Sequence, residues 1–212
     1  MQTLQSIIQF IIEIEKLKQV SRKTQPIGLT RFENSAEHSW QVCLCALMLG
    51  EYANEKVDVN KVIKMLLLHD LGEIDAGDTL FYASSQPSTA RDEKNGFRRI
   101  IQYLPSPLAD ECLSLYEEFE QVQTAEARFA KAIDRLPPLL QNLLGQGHSW
   151  RQHDISADTI LQANALIGEG SMDLWQYLKS ELNEAFAAGI LNEPEEIAYK
   201  RGIIPALFSR LA

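Results

Sequence analysis

Apolar residues recur at about every third or fourth position along most of this chain, which is the spacing of one buried face of an α-helix. A first run of this kind lies between Leu4 and Ile14, and a second begins just after Asn34. Asn34 and Ser35 are residue types that favour helix N-caps, and Glu37 follows Asn34 by three residues, as in a capping box. No alternating run of useful length indicates a strand. The pattern therefore predicts an all-α fold.

The same periodicity predicts one domain over residues 1–212, built as a bundle of roughly eight helices. Most of the candidate functional residues fall in a core at about 10–150, and C-terminal helices follow at about 156–188. Beyond them we expect an irregular tail that contains Pro194 and Pro205. The predicted helices lie at about 4–14, 35–53, 59–74, 90–103, 107–121, 125–134, 156–168 and 172–188.

Proline and glycine predict where several of these helices stop. Pro137 and Pro138 are expected to end or kink the helix that Thr124 caps, because proline has no N–H to donate to the preceding turn. A surface loop is expected over 81–88, and a further loop over 145–154 contains two histidines.

Charge and composition narrow the possible functions. The 212 residues include 20 lysines and arginines against 29 aspartates and glutamates, so the formal net charge is −9. This acidity argues against a general nucleic-acid or membrane-surface binder, which needs a basic face. No stretch approaches the ~20 apolar residues that cross a bilayer. Three cysteines without framework spacing favour a reducing compartment, so we expect a cytoplasmic protein.

The first candidate for chemistry is the pair His69-Asp70, which follows four consecutive apolar residues. A buried aspartate is unfavourable unless it is paired or binds a metal. Glu73 lies four residues after His69 and three after Asp70. On a continuous helix this spacing places the three side chains on adjacent parts of one surface. By itself the pair favours a structural His–Asp contact over a metal site.

Three more residues change this picture. His38 stands in the first turn of a long predicted helix, Asp134 lies inside an apolar helix, and Asp78 follows Gly77 in a turn. Each has an ordinary structural explanation, such as a cap or a surface ion pair. Together with His69-Asp70, they make a set of imidazoles and carboxylates that suits a divalent metal such as Mn, Fe, Co, Ni or Zn.

These motifs resemble those of the HD-domain metal-dependent phosphohydrolases, most closely the branch that contains the bacterial 5′-deoxynucleotidases. The resemblance covers about residues 10–150, and the family's fold is all-helical. It implies one divalent metal ion, which could be Mg as well as Mn, Fe, Co, Ni or Zn. The motifs that carry the resemblance are Glu37-His38-Ser39, His69-Asp70-Leu71-Gly72-Glu73, Gly77-Asp78-Thr79 and Ala132-Ile133-Asp134. The metal ligands that the resemblance implies are His38, His69, Asp70 and Asp134.

The resemblance also implies roles around the substrate. Glu73 matches the family's catalytic glutamate, and Asp78 matches an aspartate near the substrate. Arg22 becomes a candidate for binding phosphate, since a guanidinium donates two parallel hydrogen bonds. Arg31 and Thr79 are further candidates for contact with the substrate.

One departure concerns the nucleotide pocket. Members of this branch carry a tryptophan close to the arginine, whereas this chain has none before Trp40, and Lys23 and Thr24 follow Arg22 instead. The preference for sugar and base therefore stays open.

The histidines favour one metal ion over two. Relatives with two metals have additional histidines between the His-Asp pair and the final aspartate, and this chain has none between His69 and Asp134. His148 and His153 come later, and their spacing does not place them on one helix face. We expect them to be surface residues.

The leading hypothesis is hydrolysis of (deoxy)nucleoside 5′-monophosphates to nucleoside and phosphate. One alternative keeps the fold but acts on a nucleoside triphosphate or a cyclic dinucleotide. A second is a nucleotide sensor without catalysis, although a binding module has no need of a general base such as Glu73. A third is a purely structural helical domain. The expected partner is a small nucleotide, with no nucleic acid and no membrane, and the resemblance implies a homodimer.

Overall fold

The computed structural model describes residues 2–82 and 87–191. Within those ranges every regular element is helical, apart from an isolated antiparallel bridge between Ser21 and Asn34. The all-α prediction is confirmed. In the described part of the chain, eight α-helices have seven or more residues, as the periodicity predicted, and three are shorter. The helices are α1 (Gln2–Ile14), α2 (Ser35–Leu49), α3 (Val59–Leu68), α4 (Glu73–Ala76), α5 (Pro87–Ile101), α6 (Ser106–Gln121), α7 (Ala125–Leu144), α8 (His148–Gln152), α9 (Ala157–Asn164), α10 (Ile167–Gly170) and α11 (Met172–Ala187).

The predicted caps form as expected. The side chain of Asn34 accepts a hydrogen bond from the amide of Glu37 at 3.0 Å, and the Glu37 carboxylate accepts one from the Asn34 amide at 3.3 Å. This reciprocal capping box fixes the start of α2. Thr124 caps α7 by accepting from the amide of Ala127 at 3.2 Å.

The long helix α7 lies at the centre of the packing. Its earlier part, containing Phe129 and Ile133, packs in a buried cluster with Val42 of α2 and Met65 of α3. Its later part, containing Leu139, packs in a second cluster with the C-terminal helices. Burying an apolar side chain of this size contributes about 1.5–3 kcal/mol. Helix α7 is therefore the support against which α2 and α3 are held.

The prolines were expected to end or kink α7, and the first of these two outcomes is wrong. The helix continues through Pro137 and Pro138 as far as Leu144. A proline inside a helix typically costs about 3 kcal/mol, because an N–H bond is lost and the ring crowds the preceding turn. Here the residues on both sides, Ile133 and Leu139 among them, are buried in the two clusters. This tertiary packing outweighs the local preference.

The helix predicted over 59–74 is interrupted. Helix α3 ends at Leu68, and the chain turns before α4 begins at Glu73. The amide of Glu73 bonds to the carbonyl of Asp70 at 3.0 Å, which is a tighter i to i+3 connection. Gly72 allows this turn to pack against α5, because a Cβ there would overlap the backbone of Glu93. Residues three apart eclipse in such a turn, so Asp70 and Glu73 face the same side.

Smaller differences lie toward the C-terminus. The helix predicted over 156–168 is divided into α9 and α10, and the loop predicted over 145–154 contains the short helix α8. Part of the loop predicted over 81–88 and the tail with Pro194 and Pro205 lie outside the described residues. Among the described helices, none is both long and apolar enough to cross a membrane.

Candidate metal centre

Four candidate ligands meet where α2, the end of α3 and α7 approach one another. Nε2 of His38 lies 2.8 Å from Oδ1 of Asp134, and Nε2 of His69 lies 3.2 Å from the same oxygen. The ligand atoms of these three residues all lie within 4.8 Å of one another. Asp70 adds a fourth candidate ligand and a second carboxylate, with Oδ1 at 3.0 Å from His69 Nε2 and Oδ2 at 3.9 Å from His38 Nε2.

The hydrogen bond on the far side of His69 shows that this donor set fits a divalent cation. Nδ1 of His69 lies 2.7 Å from the carbonyl oxygen of Leu66, a contact that requires Nδ1 to donate. In the neutral ring, Nε2 is then an unprotonated lone pair that faces the carboxylates of Asp70 and Asp134. A cation between the ring and the carboxylates, either a proton on Nε2 or a bound metal ion, removes this repulsion between electron pairs. Neutral imidazole and carboxylate suit a divalent transition metal, and a backbone acceptor behind the ring is typical of metal-bound histidine.

The electrostatics of the metal-free arrangement agree with this geometry. Burial acts against the charged ring, yet the charges of Asp70 and Asp134 raise the pKa of His69 to about 9. Burial and the nearby Arg22 lower the pKa of His38, but the carboxylates around it, Asp134 first, raise it overall. Burial also opposes ionisation of Asp134, yet the two imidazoles hold its pKa well below the usual range. The site therefore favours positive charge between the rings and the carboxylates.

Glu33 is a residue of this site that sequence reasoning missed. Its side chain is only 2% exposed, and Oε2 lies 3.6 Å from Nδ1 of His38 and 3.5 Å from Nε of Arg22. The other oxygen, Oε1, accepts a hydrogen bond from Nε2 of Gln141 at 2.7 Å. Glu33 lies in the loop before α2, where helical periodicity carries no signal. The separation of Glu33 from His38 is longer than a hydrogen bond, so the carboxylate acts on the ring through its charge.

Arg22 lies beside the candidate metal ligands. Its Nη1 lies 3.0 Å from Asp70 Oδ2, 3.5 Å from Asp78 Oδ1 and 3.8 Å from Glu73 Oε1. Burial disfavours the charged guanidinium, but these carboxylates raise the pKa of Arg22, so it stays ionised. The backbone holds it in place, because the Arg22 amide donates to the carbonyl of Glu33 at 2.8 Å.

Glu73 and Asp78 lie on the other side of Arg22. Glu73 is buried, and its Oε2 accepts a hydrogen bond from the hydroxyl of Ser35 at 2.6 Å. Burial and the charge of Asp70 raise the pKa of Glu73 to about 9. Burial likewise raises the pKa of Asp78, although Arg22 opposes this. Both groups therefore hold a proton more tightly than ordinary carboxyls.

The structure does not bring Arg31 to this site. Its exposed guanidinium forms two hydrogen bonds of 2.8 Å with the carboxylate of Glu37, in the first turn of α2. Thr79, in contrast, lines the cavity beside the metal cluster. His153 is exposed and His148 is half-buried, and neither joins the metal cluster.

A cavity of about 180 Å³ extends from the cluster. Arg22, Asp70 and Asp134 stand at one end, and Ser149 and Asn164 line the wall as well. The apolar part of the lining consists of Leu80, Phe81, Pro138 and Leu139. The cavity therefore combines a charged end with an apolar and hydroxyl-bearing wall.

Comparison with known proteins agrees with this geometry. The family model described as HD domain matches residues 14–175. The 5′-deoxynucleotidase HDDC2 of Homo sapiens is 28% identical over 139 residues, which cover 64% of this chain and 66% of that protein. The same-named protein of Xenopus laevis is 29% identical over 140 residues, covering 65% and 68%. The matched segment thus spans about two thirds of these relatives.

A solved structure agrees with the fold over more of the chain. The crystal structure of a predicted metal-dependent phosphohydrolase from Magnetospirillum magnetotacticum MS-1 superposes with a TM-score of 0.85 at 37% identity. The match covers 91% of this chain and all of that one. Since the family model also spans well over half of the sequence, this chain belongs to the HD domain family of metal-dependent phosphohydrolases.

Proposed function

We propose that this protein is a phosphomonoesterase that hydrolyses (deoxy)nucleoside 5′-monophosphates to nucleoside and phosphate. One observation carries the proposal: the guanidinium of Arg22 lies 3.0 Å from Asp70, so a cation able to bind phosphate stands beside the candidate metal ligands in one cavity. The names of the relatives point to the same substrate class, since those proteins are 5′-deoxynucleotidases.

The metal is one divalent ion, which we assign to His38, His69, Asp70 and Asp134. When bound, such an ion lowers the pKa of a coordinated water and polarises a phosphoryl oxygen. The protein's own contribution is orientation. The carbonyl of Leu66 fixes the ring of His69 at 2.7 Å.

Arg22 binds the phosphate in this proposal. Its planar guanidinium can donate two parallel hydrogen bonds to phosphate oxygens. Without substrate, its donors face Asp70, Asp78 and Glu73, which hold the side chain at the edge of the cavity. This local cation lets an acidic protein bind an anionic substrate. A bound divalent ion adds two positive charges, so the formal net charge changes from −9 to −7 (−9 + 2).

The two carboxyl groups beside Arg22 have complementary roles in the proposal. Glu73 is the general base, which takes a proton from the attacking water, and its Oε2 is fixed by the hydroxyl of Ser35. Asp78 helps to protonate or orient the leaving ribose oxygen in the proposal, and burial, which raises its pKa, favours its protonated form. Thr79 lines the cavity next to Asp78 and contacts the sugar.

The test is phosphate release from a panel of deoxy- and ribonucleoside monophosphates and triphosphates. Purified protein is stripped with chelator and reloaded with Mn, Co, Fe, Ni, Zn or Mg. We expect monophosphates to be hydrolysed, and Glu73→Gln and Asp70→Ala to lose most of the activity. The matched control is Glu111→Gln, since Glu111 is an exposed carboxylate paired with Lys64.

Two outcomes contradict the proposal. If no monophosphate releases phosphate with any of these metals, the proposal is wrong. If the chain hydrolyses triphosphates alone, the alternative substrate class is right. The cytoplasmic location and the homodimer expected from the resemblance stay predictions, and light scattering in solution tests the second.

A further inference from the structure

One part of the cavity wall lies away from Arg22, Asp70 and Asp134, and it has no role in the chemistry proposed above. It includes Tyr82, Asn142, Ser149 and Asn164. The side chain of Ser149 is the notable member, because the residue is only 2% exposed and its hydroxyl has no hydrogen-bond partner. A buried hydroxyl without a partner is unfavourable, and protein interiors rarely retain one.

The spacing of cavity-lining residues along helix α7 gives the distance between this region and the metal centre. Asp134, Pro138 and Asn142 all line the cavity at intervals of four residues, so they lie on one face of the helix. At 1.5 Å per residue, Asp134 and Asn142 are about 12 Å apart along the helix axis. Between them Pro138 presents an apolar ring and no N–H. The wall is therefore charged at Asp134, apolar in the middle and polar at Asn142.

The polar groups near Asn142 are already held in place by one another. Oδ1 of Asn142 accepts hydrogen bonds from the amides of Ser149 at 3.0 Å and Trp150 at 3.3 Å. The hydroxyl oxygen of Tyr82 accepts from Nε1 of Trp150 at 3.0 Å and from Nδ2 of Asn164 at 3.1 Å. Asn142 thus holds the backbone of Ser149 in position, while the buried Ser149 hydroxyl is left without a hydrogen-bond partner in the protein.

We infer that Ser149 is a specificity-determining residue whose hydroxyl binds the polar edge of a nucleobase. The inference rests on the proposed function, which places the phosphate between Arg22 and the metal. A nucleoside monophosphate has an anionic end, a sugar and base with apolar faces, and then a base edge with ring nitrogens, carbonyl or amino groups. This order matches the order of groups along α7 from Asp134 to Asn142. A hydroxyl both donates and accepts, so it pairs with either kind of group on that edge.

The test compares a nucleotide with an abasic phosphate. Ser149→Ala is assayed with a 2′-deoxynucleoside 5′-monophosphate and with 2-deoxyribose 5-phosphate, which has no base. Losing one hydrogen bond is expected to raise KM for the nucleotide about three- to ten-fold. The kinetics of 2-deoxyribose 5-phosphate are expected to stay as in the wild type. Because the hydroxyl has no partner in the protein, Tm is expected to stay equal or rise slightly.

Ser171→Ala is the matched control. Ser171 is also a buried serine, but its hydroxyl donates to the carbonyl of Tyr52 at 2.6 Å and caps α11. Its substitution is expected to lower Tm and to leave the ratio of kcat/KM between the two substrates unchanged.

The outcomes separate the two proposals. If Ser149→Ala lowers kcat/KM equally for both substrates, or lowers Tm without changing their ratio, Ser149 has a structural role and the inference is wrong. If the wild type hydrolyses the nucleotide and the variant keeps the wild-type ratio, the inference alone fails. If the metal-loaded wild type hydrolyses neither compound, the proposed function fails and the inference falls with it.

Discussion

The hydroxyl of Ser35 donates a 2.6 Å hydrogen bond to Oε2 of Glu73, which joins the first residue of α2 to the first residue of α4. Ser35 is fully buried and Glu73 nearly so. The bond holds one oxygen of the proposed base and opposes the rise in the Glu73 pKa that burial and Asp70 produce. It therefore bears on both the position and the protonation of this carboxyl.

Ser35→Ala is expected to shift the pH profile of hydrolysis. Without the hydrogen bond, the ionised form of Glu73 loses a stabilising partner, so its pKa rises further. A general base must be ionised, and the acidic limb of the kcat profile is therefore expected to move to higher pH. Steady-state rates from pH 5 to 10 measure the shift.

Ser39→Ala provides the control for this shift. Ser39 is buried one turn further along α2, and its hydroxyl donates to the carbonyl of Ser35 instead of to Glu73. We expect it to keep the wild-type profile. An equal shift in both variants would show that the effect comes from loosening α2 and not from the bond to Glu73.

Glu33→Gln is expected to weaken metal binding about ten-fold, the lower end of the effect of losing a hydrogen-bonded partner behind a ligating histidine, because only a charge at 3.6 Å is lost. The amide keeps the shape of the side chain but removes the negative charge beside His38 and Arg22. Titration of the chelator-treated protein with Mn²⁺ measures the affinity. Glu15→Gln, which alters an exposed partner of Lys18, is the control. Wild-type affinity in Glu33→Gln would contradict a positioning role.

Arg22→Lys is expected to raise KM for monophosphates about ten-fold, because a lysine cannot donate two parallel hydrogen bonds to phosphate. Arg31→Lys is the matched control. Arg31 donates two hydrogen bonds to Glu37 outside the cavity. The KM of the Arg31→Lys variant is therefore expected to match that of the wild type. Equal effects of the two substitutions on KM would contradict the assignment of phosphate binding to Arg22.

Removal of the metal is expected to make stability fall as the pH rises from about 6.5 to 9. The carboxylates raise the pKa of His69 from 6.5 to about 9, so in this window the folded ring keeps a proton that the unfolded ring releases. Folding then takes up a proton, and the contribution of His69 is lost as the pH rises. Glu73 acts in the same direction, since burial raises its pKa from 4.5 to about 9.

Metal binding reverses this dependence, because the ligands must release their protons to bind a cation. The increase in Tm caused by Mn²⁺ is therefore expected to be larger at pH 8.5 than at pH 6.5. Thermal unfolding of chelator-treated and metal-loaded protein measures both trends. His153→Ala, at an exposed histidine, is expected to keep the wild-type pH dependence. A metal-free Tm that rises over this range would contradict the expectation.

Tertiary packing accounts for the errors in the helix boundaries. Residues 59–74 have one continuous apolar pattern, yet the chain turns at Gly72, where α5 approaches too closely for a Cβ. Helix α7 continues through Pro137 and Pro138 because neighbouring helices bury the residues on either side of them. In both places, contacts with distant segments outweigh the local preference.

The sequence by itself determined the helical class, the caps at Asn34 and Thr124, and the order of the histidine and aspartate motifs. The helical class and the caps depend on interactions between residues three or four apart, which a sequence displays directly, and the order of the motifs is a property of the sequence itself. Only the tertiary structure decided that Glu33 lies behind His38, that Arg31 turns away from the cavity, and that Ser149 lines it. Such relationships join segments far apart in the chain, as Gln141 and Glu33 do across 108 positions. They follow from how the helices pack, which no local pattern records.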